Sequence, residues 1–314
     1  MTGTQARREI RADDPVNLRL TLGPLRQGGS DPCTRFADGG IWRATRTPEG
    51  PVTTFITEVP EASLILGRAW GLGADWALDH LPALVGARDD AVEFASLIDS
   101  GKGVHPVVRR LHRQLAGLRL PRTGAVTEFA VPTVLAQKVT GMEAKRSYRD
   151  LVLALGEPAP GPGEELGLMV PPAPHVLAST PTWVFHRAGV ERKRADTIRR
   201  ACSYAHRLEE TVDLGVEQTR RRLRALPGIG PWSEAEIVRV TLGDADAVSV
   251  GDFHLPNQVA WALTGQPRGD DAGMLALLEP YRGHRGRVQR LIEAGGITAP
   301  RYGPRLTPAE HRNR

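Results

Sequence analysis

The hydrophobic pattern of this chain changes period along its length. In the first 60 residues apolar and polar positions alternate. Residues 16–22, 40–46 and 52–59 each have the two-residue period of a strand with one buried face, and Pro48-Glu49-Gly50 supplies a turn between the last two. Residues 75–86 and 90–97 then follow helical spacing. Residues 1–14 carry no core pattern and are predicted to be disordered. This front region, residues 1–100, reads as a small antiparallel sheet with helices on one side. Nothing in it has the pattern of a catalytic site, so a scaffold or docking role is expected.

Beyond residue 98 the helical period takes over. Helices are predicted over 105–118, 126–140 (with Pro132 near its middle), 144–156, 174–179, 181–188, 191–214, 216–226, 232–242, 254–263, 271–278 and 283–294. The stretch 157–174 is rich in Pro, Gly and Glu and is predicted to be a surface loop. The expected organisation is α+β: a β-rich domain over 1–100, an all-α region over 101–298 and a mobile basic tail over 299–314.

Charge sharpens this division. The 314 residues have a formal net charge of +5. Residues 1–100 hold 10 Lys/Arg against 14 Asp/Glu, a net −4, and residues 101–314 hold 31 against 22, a net +9. A basic helical region beside an acidic front end is suited to a polyanion. Most of the cations are Arg, which grips phosphate with two parallel donors. Cys33 and Cys202 are too far apart in sequence for a metal motif and too few for a disulfide framework. They fit a reducing, cytoplasmic location. No run of eighteen apolar residues is present, so no membrane span is expected.

The candidate chemistry centres on Leu226-Pro227-Gly228-Ile229-Gly230-Pro231-Trp232-Ser233. One helical pattern ends there, two glycines turn the chain, and Pro231 opens the next helix. Free amides at a helix start, on its positive dipole end, form an anion site. A phosphodiester is the anion a basic protein would meet. Twenty residues after Trp232 comes Asp252, in Val250-Gly251-Asp252-Phe253-His254. A lone carboxylate there can stabilise developing positive charge and orient water, or it can simply cap the next helix.

Together these residues resemble the helix-hairpin-helix base-excision DNA glycosylases, and within them the 3-methyladenine glycosylase II (AlkA-like) group. Leu135-Ala136-Gln137-Lys138-Val139-Thr140 resembles that family's turn facing DNA, and the β-rich front end resembles the group's extra N-terminal domain. The convincing resemblance covers roughly residues 105–295. It implies a monomer, associated with the nucleoid, that binds double-stranded DNA containing damaged bases and extrudes the target base before acting on it. It implies Asp252 as the catalytic carboxylate. Trp232, Glu236 and Arg290 would lie in the base pocket. Gln137, Lys138, Gly228, Ile229, Gly230, Ser233, Arg282 and Arg285 would contact DNA. No cofactor is required. The backbone carbonyls of Arg224, Leu226 and Gly228 form a candidate site for a structural sodium or potassium ion. Two cysteines cannot hold the four-cysteine iron–sulfur cluster of the endonuclease III branch.

Trp232 stands where bifunctional members carry a Schiff-base lysine. Indole cannot do that chemistry, so a monofunctional enzyme leaving an abasic site is expected. Trp232 would instead stack on an electron-poor alkylated purine such as 3-methyladenine or 7-methylguanine, or act as a core residue under the hairpin. The sequence departs from the resemblance at Glu236 and Arg290, where pocket aromatics are usual, and at Lys138, where an aliphatic wedge is usual. An acid facing the base would suit a cationic purine or a contact with an amino group. A solvated Glu236, a non-catalytic lesion-binding protein and a glycosylase of other base specificity remain alternatives. Among the nine histidines none has metal-ligand spacing.

Overall fold

The computed structural model describes residues 5–11, 15–59 and 63–300. Its first layer is a five-stranded antiparallel sheet of β1 (Gln5–Arg11), β2 (Thr34–Ala37), β3 (Gly40–Thr47), β4 (Gly50–Val59) and β5 (Leu64–Trp70), in the order β1-β5-β4-β3-β2. The predicted β3–β4 hairpin forms with Ile41 opposite Ile56 and Thr47 opposite Gly50. Helix α2 (Ala74–Leu84) lies on this sheet through Ala77, Leu78 and Leu81. Gly67 in β5 permits that approach, because a Cβ there would sit 2.3 Å from a Leu81 methyl carbon.

Two expectations for the front end fail. Residues 5–11 form edge strand β1, paired antiparallel with β5 so that Ile10 opposes Ile65. Among residues 6–11 of that strand only Ile10 is buried, and the charged neighbours that disguise it are typical of a protected edge. Within 16–22, helix α1 (Leu18–Leu22) forms in place of a strand. Leu18 and Leu22 are four apart, so alternation over so short a run also fits one helical face. Asn17 then decides the outcome by accepting from the Leu20 amide at 3.0 Å.

The remaining helices gather in two clusters. One holds α5 (Val126–Leu135), α6 (Gly141–Leu155), α8 (Pro174–Ser179), α9 (Thr182–Arg187), α10 (Arg192–Ser203), α11 (Ala205–Glu209), α12 (Thr211–Leu214), α13 (Val216–Arg224) and α14 (Pro231–Thr241), around Val134, Leu151, Phe185, Ile198 and Ile237. The other packs α3 (Ala91–Ser100) and α4 (Pro106–Gln114) against α15 (Leu255–Thr264), α16 (Asp271–Leu278) and α17 (Arg285–Ala294). Thus Phe94 and Ile98, early in the chain, sit beside Val259 and Val288. A buried bidentate pair, Arg287 with Asp89 at 2.6 and 2.7 Å, ties α17 to the turn before α3. Phe129 and Val240 join the sheet's core, so the helices and the sheet share one hydrophobic seam.

Two further expectations change. The predicted 191–214 helix is three helices. The breaks turn Glu209 toward the start of α5, where its carboxylate accepts from the amides of Val126 (2.9 Å) and Thr127 (2.7 Å). Residues 157–174, expected as a surface loop, contain a two-residue ladder of β6 (Glu157–Pro158) with β7 (Met169–Val170) and the short α7 (Pro162–Glu165). Ala159, Leu168 and Val170 are buried against Ala44 of the sheet. The predicted tail lies outside the described residues apart from positions 299 and 300. Among the described residues, no helix is long and apolar enough to cross a membrane.

Candidate active site and nucleic-acid interface

Helices α13 and α14 and the turn between them form the hairpin. Leu226 and Ile229 are buried and anchor it, with the Ile229 amide donating to the Leu226 carbonyl at 3.0 Å. Gly228 has φ +100°, and a Cβ there would lie 2.2 Å from Thr197 Oγ1 on α10, so only glycine fits between turn and helix. Arg200 of α10 braces the same turn by donating to the Pro227 carbonyl at 2.8 Å. Helix α14 begins at Pro231 after Gly230 with no capping side chain. Its first-turn amides are therefore left for another acceptor.

The α5–α6 connection meets this hairpin. The predicted 126–140 helix stops at Leu135, whose carbonyl is held by buried Arg194 at 2.8 Å, and Thr140 opens α6 with a capping box to Glu143. In the connection, the Gln137 Nε2 amide donates to the Gly228 carbonyl and to Ser233 Oγ, both at 2.8 Å. Lys138 follows with φ +56°, an uncommon conformation for a residue with a side chain, and is exposed. The Gln137–Lys138 turn is thereby locked to the glycine hairpin. Of the three candidate cation-binding carbonyls, those of Leu226 and Gly228 already accept protein donors. A carbonyl keeps a second lone pair, so these bonds do not exclude a cation.

Helix α14 leads from the hairpin to the carboxylate. The Trp232 Nε1–H donates to Asp252 Oδ2 at 3.0 Å, and Asp252 Oδ1 accepts from the amides of His254 (2.7 Å) and Leu255 (2.8 Å) at the start of α15. Both carboxylate oxygens are thus oriented, and Asp252 remains half-buried. Gly251, at φ +89°, makes the bend before it, its amide donating to the Asp271 carboxylate at 3.1 Å.

Glu236 lies one helical turn beyond Trp232 on the same face of α14. Its Oε1 accepts from Arg239 Nη2 at 2.7 Å and from Ser249 Oγ. Burial pushes the Glu236 carboxyl above its ordinary range, Arg239 opposes that, and Glu293 and Asp252 push the same way as burial. Arg290 on α17 joins this group: its Nη2 donates to the Leu20 carbonyl of α1 at 3.0 Å, and its Nη1 lies 3.9 Å from Glu293. Burial lowers its guanidinium below the usual range, against the pull of Glu293. Trp232, Glu236, Asp252 and Arg290 therefore converge where α14, α17 and α1 meet. Sequence reading did not reach Arg239, Ser249, Gln289 and Glu293, which hold that group, nor the contribution of α1. Arg239 is three residues from Glu236 and Glu293 is four from Gln289, but only the tertiary packing joins these pairs.

The two remaining predicted phosphate contacts are engaged internally. Arg285 makes a bidentate pair with Asp246 at 2.8 and 2.5 Å, and Arg282 pairs with Glu279 at 2.9 and 2.5 Å. Among the described residues, no group of three or more His, Cys, Asp and Glu side chains is arranged to hold a metal ion.

No protein-family model matches the chain. It is 30% identical over 245 residues to the probable bifunctional transcriptional activator/DNA repair enzyme AlkA of Mycobacterium tuberculosis, across 77% of this chain and 48% of that protein. The chain thus spans about half the length of that relative. The fold matches a 3-methyladenine DNA-glycosylase from Archaeoglobus fulgidus with a TM-score of 0.75 at 17% identity, covering 91% of this chain and 97% of that one. It also matches an 8-oxoguanine glycosylase/lyase from Clostridium acetobutylicum with a TM-score of 0.68 at 12% identity, covering 94% and 98%. At these identities the structural likeness is one of fold. The chain thus shares its fold with helix-hairpin-helix DNA glycosylases of known structure. Its sequence relationship runs to the AlkA-like branch.

Proposed function

We propose that this protein is a monofunctional DNA glycosylase that hydrolyses the N-glycosidic bond of alkylated purines, 3-methyladenine and 7-methylguanine foremost, and leaves an abasic site. The observation that carries this reading is the 3.0 Å bond from Trp232 Nε1 to Asp252 Oδ2. It puts an aromatic ring and an oriented carboxylate together at the end of a DNA-facing hairpin, with indole where a lyase needs an amine. The uncapped start of α14 and the Gln137–Lys138 turn hold the phosphodiester and the gap left by the flipped base. A monovalent cation at the Arg224, Leu226 and Gly228 carbonyls fits this arrangement and adds positive charge toward the phosphate.

The reaction needs little from the protein beyond placement and charge. As the C1′–N bond lengthens, positive charge builds on the sugar, and the Asp252 carboxylate stabilises it. A water oxygen bonds to C1′, its proton passes to Asp252 or solvent, and the bonding pair leaves with the base. An alkylated purine that starts cationic departs neutral. Trp232 holds Asp252 and offers a ring face to the electron-poor base.

The test is release of free base from methylated duplex DNA. Wild type is expected to release it and Asp252→Asn to lose that activity while still binding DNA. Equal release by both sinks the mechanism, and no release by wild type favours a non-catalytic lesion-binding protein. Borohydride is expected to trap no covalent adduct, and a trapped adduct contradicts the monofunctional assignment.

A further inference from the structure

Next to Trp232 and Asp252, five side chains close a ring of hydrogen bonds. Glu236 Oε1 accepts from Arg239 Nη2 (2.7 Å) and from the Ser249 hydroxyl. Ser249 Oγ accepts from Gln289 Nε2 at 3.1 Å. That same amide donates to Glu293 Oε1 at 2.8 Å, and Glu293 Oε2 accepts from Arg239 Nη1 at 3.1 Å. The Ser249 amide closes a second link by donating to Gln289 Oε1 at 3.1 Å. Helix α14, helix α17 and the strap leading to Asp252 are thus joined by this ring and by the Ser249 amide.

Both donors on Glu236 use Oε1. Among the described residues, Oε2 is left without a protein donor, and the side chain keeps 25% of its surface exposed. Oε2 can therefore accept from a group outside the protein. The local charge favours a positive one. Asp252, Glu236 and Glu293 stand against Arg239 and Arg290, three carboxylates to two guanidiniums. Arg290 is held by the Leu20 carbonyl, and its nearest carboxylate contact is 3.9 Å, to Glu293. In a half-buried site such an imbalance is poorly screened.

Resting on the glycosylase reading above, we infer that Glu236 is a specificity-determining residue, whose ring-held carboxylate meets the flipped base and selects purines carrying positive charge over neutral lesions of similar size. An aromatic pocket draws a cationic base through its π faces. Of the three candidate pocket residues Trp232, Glu236 and Arg290, one is aromatic, and Glu236 supplies the rest of the attraction as a fixed anionic charge. The ring of hydrogen bonds keeps that carboxylate in one orientation, so little ordering is left to do when the base arrives.

Single-turnover release would be measured for cationic 7-methylguanine and for neutral hypoxanthine and 1,N6-ethenoadenine, each in duplex DNA, with wild type and Glu236→Gln. The variant keeps the shape and removes the charge. Release of 7-methylguanine is expected to fall about tenfold or more, the scale of a charged hydrogen bond, with the neutral bases changed much less. A matching fall for cationic and neutral bases overturns the inference, since that is what a merely structural role gives. No release of any base by wild type overturns the glycosylase reading itself. If Glu236→Gln does not fold, the wild-type ratio of cationic to neutral release across pH takes its place. Protonating Glu236, which faces Arg239, Ser249, Glu293, Arg290 and Asp252, lowers the ratio. A ratio flat from neutral to acidic pH overturns the inference.

Discussion

Trp232 and Asp252 are twenty residues apart and joined by one hydrogen bond, from the indole N–H to Oδ2 at 3.0 Å. The other carboxylate oxygen is held by two amides at the start of α15. The side chain therefore caps a helix and faces the site at once. Replacing Trp232 with Phe keeps a ring and removes the donor. We predict that base release by Trp232→Phe slows about tenfold, the scale of one hydrogen bond to a charged group. Asp252→Asn should lose about two to three orders of magnitude. Single-turnover rates at saturating enzyme check both values, and an unchanged rate for Trp232→Phe would show that the indole N–H does no orienting.

Gly228 is enclosed by Thr197 and held at a positive φ. Gly228→Ala should cost roughly 1–3 kcal/mol, from strained backbone and the contact with Thr197 Oγ1. Adding Thr197→Ala should recover only part of this, since the backbone strain remains. Denaturant unfolding of the two variants measures the difference.

Gln137 connects the turn between α5 and α6 to the hairpin through Gly228 and Ser233. Gln137→Ala should weaken binding to abasic duplex DNA while moving the melting temperature little, because Gln137 is only part-buried. Fluorescence anisotropy with a labelled duplex tests this, and unaltered affinity would remove Gln137 from the interface.

A buried ion pair joins the sheet to the helices. Arg43 on β3 meets Glu128 on α5 at 2.5 Å, with side chains 7% and 14% exposed, and Thr45 also donates to Glu128. Glu128→Ala leaves an uncompensated buried guanidinium and should destabilise by about 3–5 kcal/mol. Replacing Arg43 and Glu128 together with apolar residues of similar volume should cost much less. Chemical denaturation of the single and double variants would separate the two cases.

The Asp246–Arg285 pair gives a pH dependence of stability. Partial burial pushes the Asp246 carboxyl up, but bonds from Arg285 and from the Gly283 and Arg285 amides outweigh it and hold the carboxyl below its ordinary range. A carboxyl lowered on folding stabilises fully above its unfolded pKa, about 4, and loses that contribution as pH falls through its folded value. Asp246→Asn should therefore unfold more readily than wild type at neutral pH, with the gap closing in acid. Melting temperatures across pH measure it, and a gap that widens in acid would contradict the assignment.

The parts of the molecule written locally were legible in the sequence. The hairpin, Asp252 and the Trp232–Glu236 spacing depend on neighbours within a few turns. So do β3, β4 and most helices. What escaped depends on distant partners. The edge strand β1 needs β5 to exist, and the bends between α10 and α12 exist because Glu209 reaches the start of α5. The ring around Glu236 draws on residues from 236 to 293, each of which alone looks like an ordinary polar side chain on a helix or, for Ser249, in a loop. Leu20 contributes a backbone carbonyl, which no side-chain pattern can announce.

That carbonyl has a consequence for the order in which the protein comes into being. Arg290 and Leu20 are 270 positions apart, and their bond closes one wall of the site. During synthesis the hairpin, Trp232 and Asp252 leave the ribosome before α17 does. The nascent chain carries the hairpin and the Asp252 carboxylate while Arg290, Gln289 and Glu293 are still to come. Completion of this side-chain group therefore waits for α17, and a product truncated before it would carry the hairpin without the residues that hold Glu236 and Arg239 in place.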